Sequence, residues 1–121
     1  MKVQLHGQKI RFRISEDELA ALVSGDEVTN VTRFDAVQWV QSIRVGVSDA
    51  PALALTAVGL RLQLPRALLE AYAARLPSRK GVELRFPADG ADERTLEVEF
   101  EVDVRDSVRV RRGVDPGPGS A

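Results

Sequence analysis

Cysteine is absent from this chain of 121 residues. That excludes disulfides, thiolate nucleophiles and cysteine-held metal sites, and it fits a reducing cytoplasm. Aromatic residues are scarce, with one Trp, one Tyr and four Phe. The core must therefore be built mostly from Leu, Val, Ile and Ala. Lysine is scarce too, three against fourteen arginines, a ratio that points to a GC-rich bacterial genome. Neither sign of charge dominates: 17 basic and 18 acidic residues leave a net charge of −1. The balance argues against a nucleic-acid binder, which usually carries a basic excess, and against a surface that seeks anionic membranes. No apolar run approaches the length of a membrane span. No apolar stretch follows Met1-Lys2, so no signal peptide is expected.

What the chain has is alternation. From Leu96 to Arg105 apolar and charged residues alternate without a break. A strand turns successive side chains to opposite faces, so this run has one oily and one charged side. Val3 and Leu5, then Ile10, Phe12 and Ile14, repeat the pattern around the turn glycine Gly7 and read as a hairpin. Leu53, Leu55 and Ala57, then Leu60, Leu62 and Leu64, read as another. Glu27–Phe34, Trp39–Val47 and Val82–Phe86 complete the strands, with a loop expected over Pro87–Arg94. In Glu27–Phe34, Val28 and Val31 fall on opposite faces, which asks for a bulge or for cover on both sides.

Two helices are expected. Ser15 with Glu18 three residues on is a capping box, Ile14 and Leu19 form a hydrophobic staple, and Gly25 suits the position after the end. These mark a helix over Glu16–Ser24. Pro65 suits the first turn of a second, in which Leu68, Leu69, Tyr72 and Leu76 recur at helical spacing before Pro77 stops it. The hairpin–helix order occurs at Lys2–Ser24 and again at Leu53–Leu76, which suggests a pseudo-symmetric arrangement, although no internal repeat stands out in the sequence.

The fold class implied is α+β: a mainly antiparallel twisted sheet, or partly closed barrel, of seven or eight strands with two short helices. Residues 1–112 form a single domain. From Gly113 to Ala121 the chain is rich in Gly, Pro and Ser and is expected to be a disordered tail.

The residues offer few sites. The glycines form neither GxGxxG nor GxxxxGK. His6, the one histidine, lacks a Ser-His-Asp order or His-x-x-x-His spacing and reads as a surface residue beside its turn. Trp39 and Tyr72 fall in phase with core positions and are expected to pack inside. Arg109, Arg111 and Arg112 read as a solvated edge, with an acidic partner or a nucleic-acid backbone as the alternative. Lys9, Arg11 and Arg13 share one strand face, and Glu97, Glu99, Glu101 and Asp103 share another. Inside a closed barrel they could hold a phosphate through arginine and a divalent cation through carboxylates. On an ordinary half-solvated sheet they are simply its wet side.

The run Met1-Lys2-Val3, Gly7, Ile10-Arg11-Phe12-Arg13-Ile14-Ser15 and Glu18 resembles the opening of a family of short uncharacterised bacterial proteins. Val28–Phe34 and Ser48-Asp49-Ala50-Pro51-Ala52-Leu53 are similar to later segments of that family. Its members end the last strand in an acidic-Lys-Asp-Phe stretch followed by cysteine; this chain has Phe100-Glu101-Val102-Asp103 there. The resemblance covers most of residues 1–105 and implies a fold but no activity.

The reading that follows is a small cytoplasmic binding or interaction module, non-enzymatic and without cofactor or metal. Its partner would be a protein or small molecule, with a homodimer through Val28–Phe34 or a terminal strand as one form; neither membrane nor nucleic acid is expected. The alternative is a phosphate- or nucleotide-handling barrel of the triphosphate-tunnel kind, binding through Arg11, Arg13, Glu97, Glu99 and Glu101.

Overall fold

A computed structural model describes residues 1–78, 80–88 and 91–104, with the backbone alone at 88 and 91–94. The Asp89-Gly90 turn, the arginines from Arg109 to Arg112 and the expected tail lie outside the described residues.

Among the described residues eight strands and two helices follow one another in a doubled order. The first half is β1 (Lys2–His6), β2 (Lys9–Ile14), α1 (Glu16–Val23), β3 (Val28–Phe34) and β4 (Val37–Gly46). The second is β5 (Ala52–Thr56), β6 (Gly59–Pro65), α2 (Arg66–Ala74), β7 (Val82–Ala88) and β8 (Ala91–Val102). Each half is thus hairpin, helix, hairpin. The halves interlock: one sheet has the order β1-β2-β8-β7 and the other β3-β4-β6-β5. Every sheet takes one hairpin from each half, and each helix carries the chain from one sheet to the other.

The α+β class holds, with the strands in two open sheets. Both sheets are mixed, because the middle pairs β2–β8 and β4–β6 run parallel. Alternation marks which side chains face the core but not which strand lies alongside, so the parallel pairs were invisible in it.

The repeat missed in the sequence is plain in the pairing. Lys2↔Arg13 and His6↔Lys9 of the first hairpin recur 50 positions later as Ala52↔Gln63 and Thr56↔Gly59. At that offset Leu5, Arg11, Leu19 and Ala21 meet the identical residues Leu55, Arg61, Leu69 and Ala71. Elsewhere only apolar character persists: Ile10, Phe12, Ile14 and Leu22 match Leu60, Leu62, Leu64 and Tyr72, all eight buried. Core volume is conserved across the repeat while residue identity drifts, the tolerance expected of apolar cores.

A single apolar cluster joins the inner faces of both sheets and both helices. Phe12 and Phe100 lie side by side in the parallel pair, both fully buried. The Tyr72 ring meets Phe100 edge-on at 5.7 Å between centroids, a favoured aromatic geometry. α1 begins as expected: Ser15 Oγ accepts the Glu18 N–H at 3.1 Å, and Glu18 Oε1 accepts the Ser15 N–H at 2.9 Å. It ends in a Schellman motif, with Gly25 N–H donating to Leu22 and Asp26 N–H to Ala21. Gly25 has φ +99°, where a side chain would be strained.

Three local expectations are corrected. β3 pairs with β4 in unbroken register, so no bulge separates Val28 from Val31: Val28 is buried and Val31 is exposed on the outer face. Strands β7 and β8 run into the supposed loop at Pro87–Arg94. Pro87 falls where the register shifts between Phe86 and Ala88, as suits a residue without an N–H to donate. Tyr72 is in the core, but Trp39 remains 38% exposed.

Candidate functional site

Of the charged residues singled out in the sequence, Lys9, Arg11, Arg13, Glu97, Glu99 and Glu101 lie on the outer face of the first sheet, and Asp103 follows the end of β8. Parallel pairing of β2 with β8 sets Lys9 beside Glu97, Arg11 beside Glu99 and Arg13 beside Glu101. Ile10, Phe12 and Ile14 point inward, so their neighbours in sequence must point out. Arg11 Nε lies 2.8 Å from Glu99 Oε1 and 3.6 Å from Glu101 Oε1; Arg13 Nε lies 3.0 Å from Glu101 Oε1. Glu97 faces Arg85 of β7 at 3.7 Å. The two stripes are brought together, and they bind each other. Glu99 and Glu101 sit low between the strands while the arginines remain near half exposed. The hollow beside them, lined by Lys9, Glu83, Arg85, Glu97 and Glu99, holds about 70 Å³. Among the described residues no cluster of His, Asp or Glu is arranged to hold a metal ion. His6 is exposed at the end of β1, opposite Lys9.

The second sheet presents a different surface. On its inner face, cross-strand pairs step outward along the β3–β4 hairpin: Val28–Ile43, Asn30–Gln41, Thr32–Trp39, Phe34–Val37. The first pair is core. At the second, Asn30 Nδ2 donates to Gln41 Oε1 at 3.0 Å, which satisfies a polar group buried to 5% exposure. Beyond it the face turns apolar again, and there it lies open: Trp39 is 38%, Phe34 59% and Val37 66% exposed. The hairpin closes over Asp35-Ala36, with Asp35 at φ +50°, a conformation aspartate tolerates better than most residues.

The internal repeat shows how unusual this is. The positions of β7–β8 equivalent to Asn30 and Gln41 are Leu84 and Val98, both buried. Those equivalent to Thr32 and Trp39 are Phe86 and Leu96, which pack against the core. One hairpin spends its inner face on the core; the other interrupts it with an amide pair and carries apolar side chains past the core's end. Sequence phase placed Trp39 with Ile43 and Gln41, and the signal of exposure was there in the polar pair: two amides on a core face mark where the core stops.

An apolar groove of about 400 Å³ runs between the helices, lined by Leu19, Val23, Ala73 and Leu76 with Glu16 at its rim. No helix among the described residues is long and apolar enough to cross a membrane.

A comparison with curated proteins gives no match. The model of the Family of unknown function (DUF7009) matches residues 1–106, the whole described structure, and the chain belongs to that family.

Proposed function

We propose that this protein is a small, non-enzymatic interaction module that binds a protein partner through the open inner face of the β3–β4 hairpin. The observation that carries the reading is the exposure of Phe34, Val37 and Trp39 on a face whose repeat-mate packs Phe86 and Leu96 against the core at the level of Trp39. Contiguous exposed apolar side chains rimmed by polar ones mark interaction surfaces, and tryptophan is among the residues that dominate binding energy at them. A bacterial cytoplasm is the setting that the arginine-rich, cysteine-free composition favours.

The alternative use of Arg11 and Arg13 as a phosphate site, with Glu97, Glu99 and Glu101 for a cation, would require the arginines to release the carboxylates they already hold at 2.8 and 3.0 Å. What favours the hairpin reading is that the two stripes face each other on an open outer sheet surface and enclose only a hollow of about 70 Å³.

The test is a photo-reactive phenylalanine analogue at Val37, compared with the same analogue at Glu83 on the repeat-mate hairpin, irradiated in the producing cell. Covalent adducts at Val37 and none at Glu83 are expected. Absence of adducts at Val37, or equal labelling at both, would overturn the reading.

A further inference from the structure

We infer that the partner of this surface is a second copy of the chain, joined to the first by antiparallel pairing of their β3 strands. The inference rests on the interaction reading above and names its occupant.

Among the described residues four strands lie at sheet edges: β1, β7, β3 and β5. Proteins protect edges with short strands, charges, proline or bulges. β1 and β5 have five residues each, and β1 carries Lys2. β7 has seven residues but carries Glu83, Arg85 and Pro87 and a register shift. β3 also has seven residues, VTNVTRF, β-branched at four positions, without proline, in unbroken register, and with Arg33 as its single charge. It is the long edge that is left ready to pair.

Charge selects the register. Among the described residues Arg33 has no ion-pair partner, and Glu27, just before the strand, has one long contact, 3.7 Å to Arg61. Antiparallel pairing centred on Asn30 sets Arg33 of each copy opposite Glu27 of the other. The same register puts Val31 opposite Thr29 and Thr32 opposite Val28. Directly opposed residues share a face, so the two inner faces become continuous and the open side chains of both hairpins flank one seam. Every contact occurs twice except the Asn30–Asn30 pair on the axis, as a two-fold interface requires.

The contact is a small one, of the size of a weak, concentration-dependent dimer. A specific interface buries roughly 800 Å² per partner. On the paired strand itself the exposed parts of Val31, on the outer face, and Phe34, on the inner, supply on the order of 200 Å² at usual side-chain areas, and seven residues of paired edge add to it; Val37 and Trp39 stand one strand back, on β4.

The test is sedimentation equilibrium of the full chain from low-micromolar to near-millimolar concentration, with hydrogen exchange of β3 amides at both ends of the range. The average mass should rise toward twice that of the chain, and β3 amides should gain protection with concentration while β5 amides do not. Arg33→Glu should hold the mass at that of a monomer, and Glu27→Arg combined with Arg33→Glu should restore association. A monomer throughout, or a dimer indifferent to Arg33→Glu, overturns the inference. The exchange data on the unaltered chain decide the case alone if a variant fails to fold. Adducts at Val37 to a different protein, with the chain monomeric, would sink the second copy and leave the interaction surface standing; no adducts at all would sink that reading itself.

Discussion

The phenolic oxygen of Tyr72 accepts the backbone N–H of Val102 at 2.9 Å, inside the core. Tyr72 belongs to the helix that leaves the second sheet, and Val102 ends a central strand of the first. One hydrogen bond therefore ties the two sheets together where the halves interlock. Tyr72→Phe keeps the ring against Phe100 but orphans the Val102 amide. Leaving a buried donor unsatisfied costs about 1–3 kcal/mol, and urea unfolding of the variant should show a loss of that size.

The same tyrosine sets an alkaline limit. Burial raises its pKa above the ordinary tyrosine value, outweighing the Val102 N–H and the Arg75 guanidinium, which lower it; Glu101 and Glu99 push the same way as burial. A raised folded value means that the unfolded chain ionises first. Stability is complete below the ordinary tyrosine range and falls as pH rises through the folded value. Urea midpoints across the alkaline range should drop more steeply for the unaltered chain than for Tyr72→Phe.

At the other end of the pH scale Glu18 acts in the opposite sense. Burial raises its carboxyl, but the Ser15 N–H, the Met1 ammonium at 3.0 Å and the Ser15 hydroxyl together hold it below the usual carboxylate range. Its contribution is present above the unfolded value and is lost as pH falls through the lower folded one. Ser15→Ala should cost about 1 kcal/mol at neutral pH. Glu18→Gln should flatten the acid limb of the stability curve; an unchanged acid limb would remove Glu18 from this role.

How far the sequence revealed the molecule depends on which physical rule each feature obeys. The capping box at Ser15 and the inward set Ile10, Phe12, Ile14 are local, and both were legible. The neighbours of those strands were not, because alternation fixes a face and leaves the partner strand open. The repeat was visible as an order of elements but hidden in the residues, since Phe12 and Leu62, or Leu22 and Tyr72, share apolar character without sharing identity. The stripes of Arg11 and Glu99 were seen as stripes; that they neutralise each other depends on a parallel register between residues 88 positions apart. Trp39 was misplaced because periodicity gives phase along a strand and not the depth of core above it.

The charged face leads to a prediction of smallness. Arg11 is 41% exposed on an open sheet, and such pairs contribute about 0.2–1 kcal/mol. A double-mutant cycle of Arg11→Ala and Glu99→Ala should give a coupling within that range that shrinks with added salt. Magnesium with tripolyphosphate at millimolar concentration should leave thermal unfolding unchanged. A rise of several degrees that disappears in Arg11→Ala would instead transfer the function to this face, because only a ligand of the folded state raises its stability.

Gly59 makes the sharpest structural prediction. It pairs with Val40 across the parallel centre of the second sheet, and a Cβ at this position would overlap the Val40 carbonyl oxygen. That oxygen is backbone in a central strand and cannot swing aside as a side-chain tip would. Its repeat-mate, Lys9, bears a full side chain in the equivalent parallel pair with Glu97, so the demand for glycine arises from this close approach and not from the topology. Overpacking by a methyl group usually costs about 1–3 kcal/mol, and Gly59→Ala should reach or exceed the top of that range because β4 and β6 must part to admit it. The β3–β4 hairpin hangs from this contact, so the variant should also loosen the candidate interaction surface. Hydrogen exchange would then show faster opening in β3 and β4 than in β7 and β8. Unfolding that remains within about 0.5 kcal/mol of the unaltered chain, the range of an ordinary surface change, would show that the strands are not held this close.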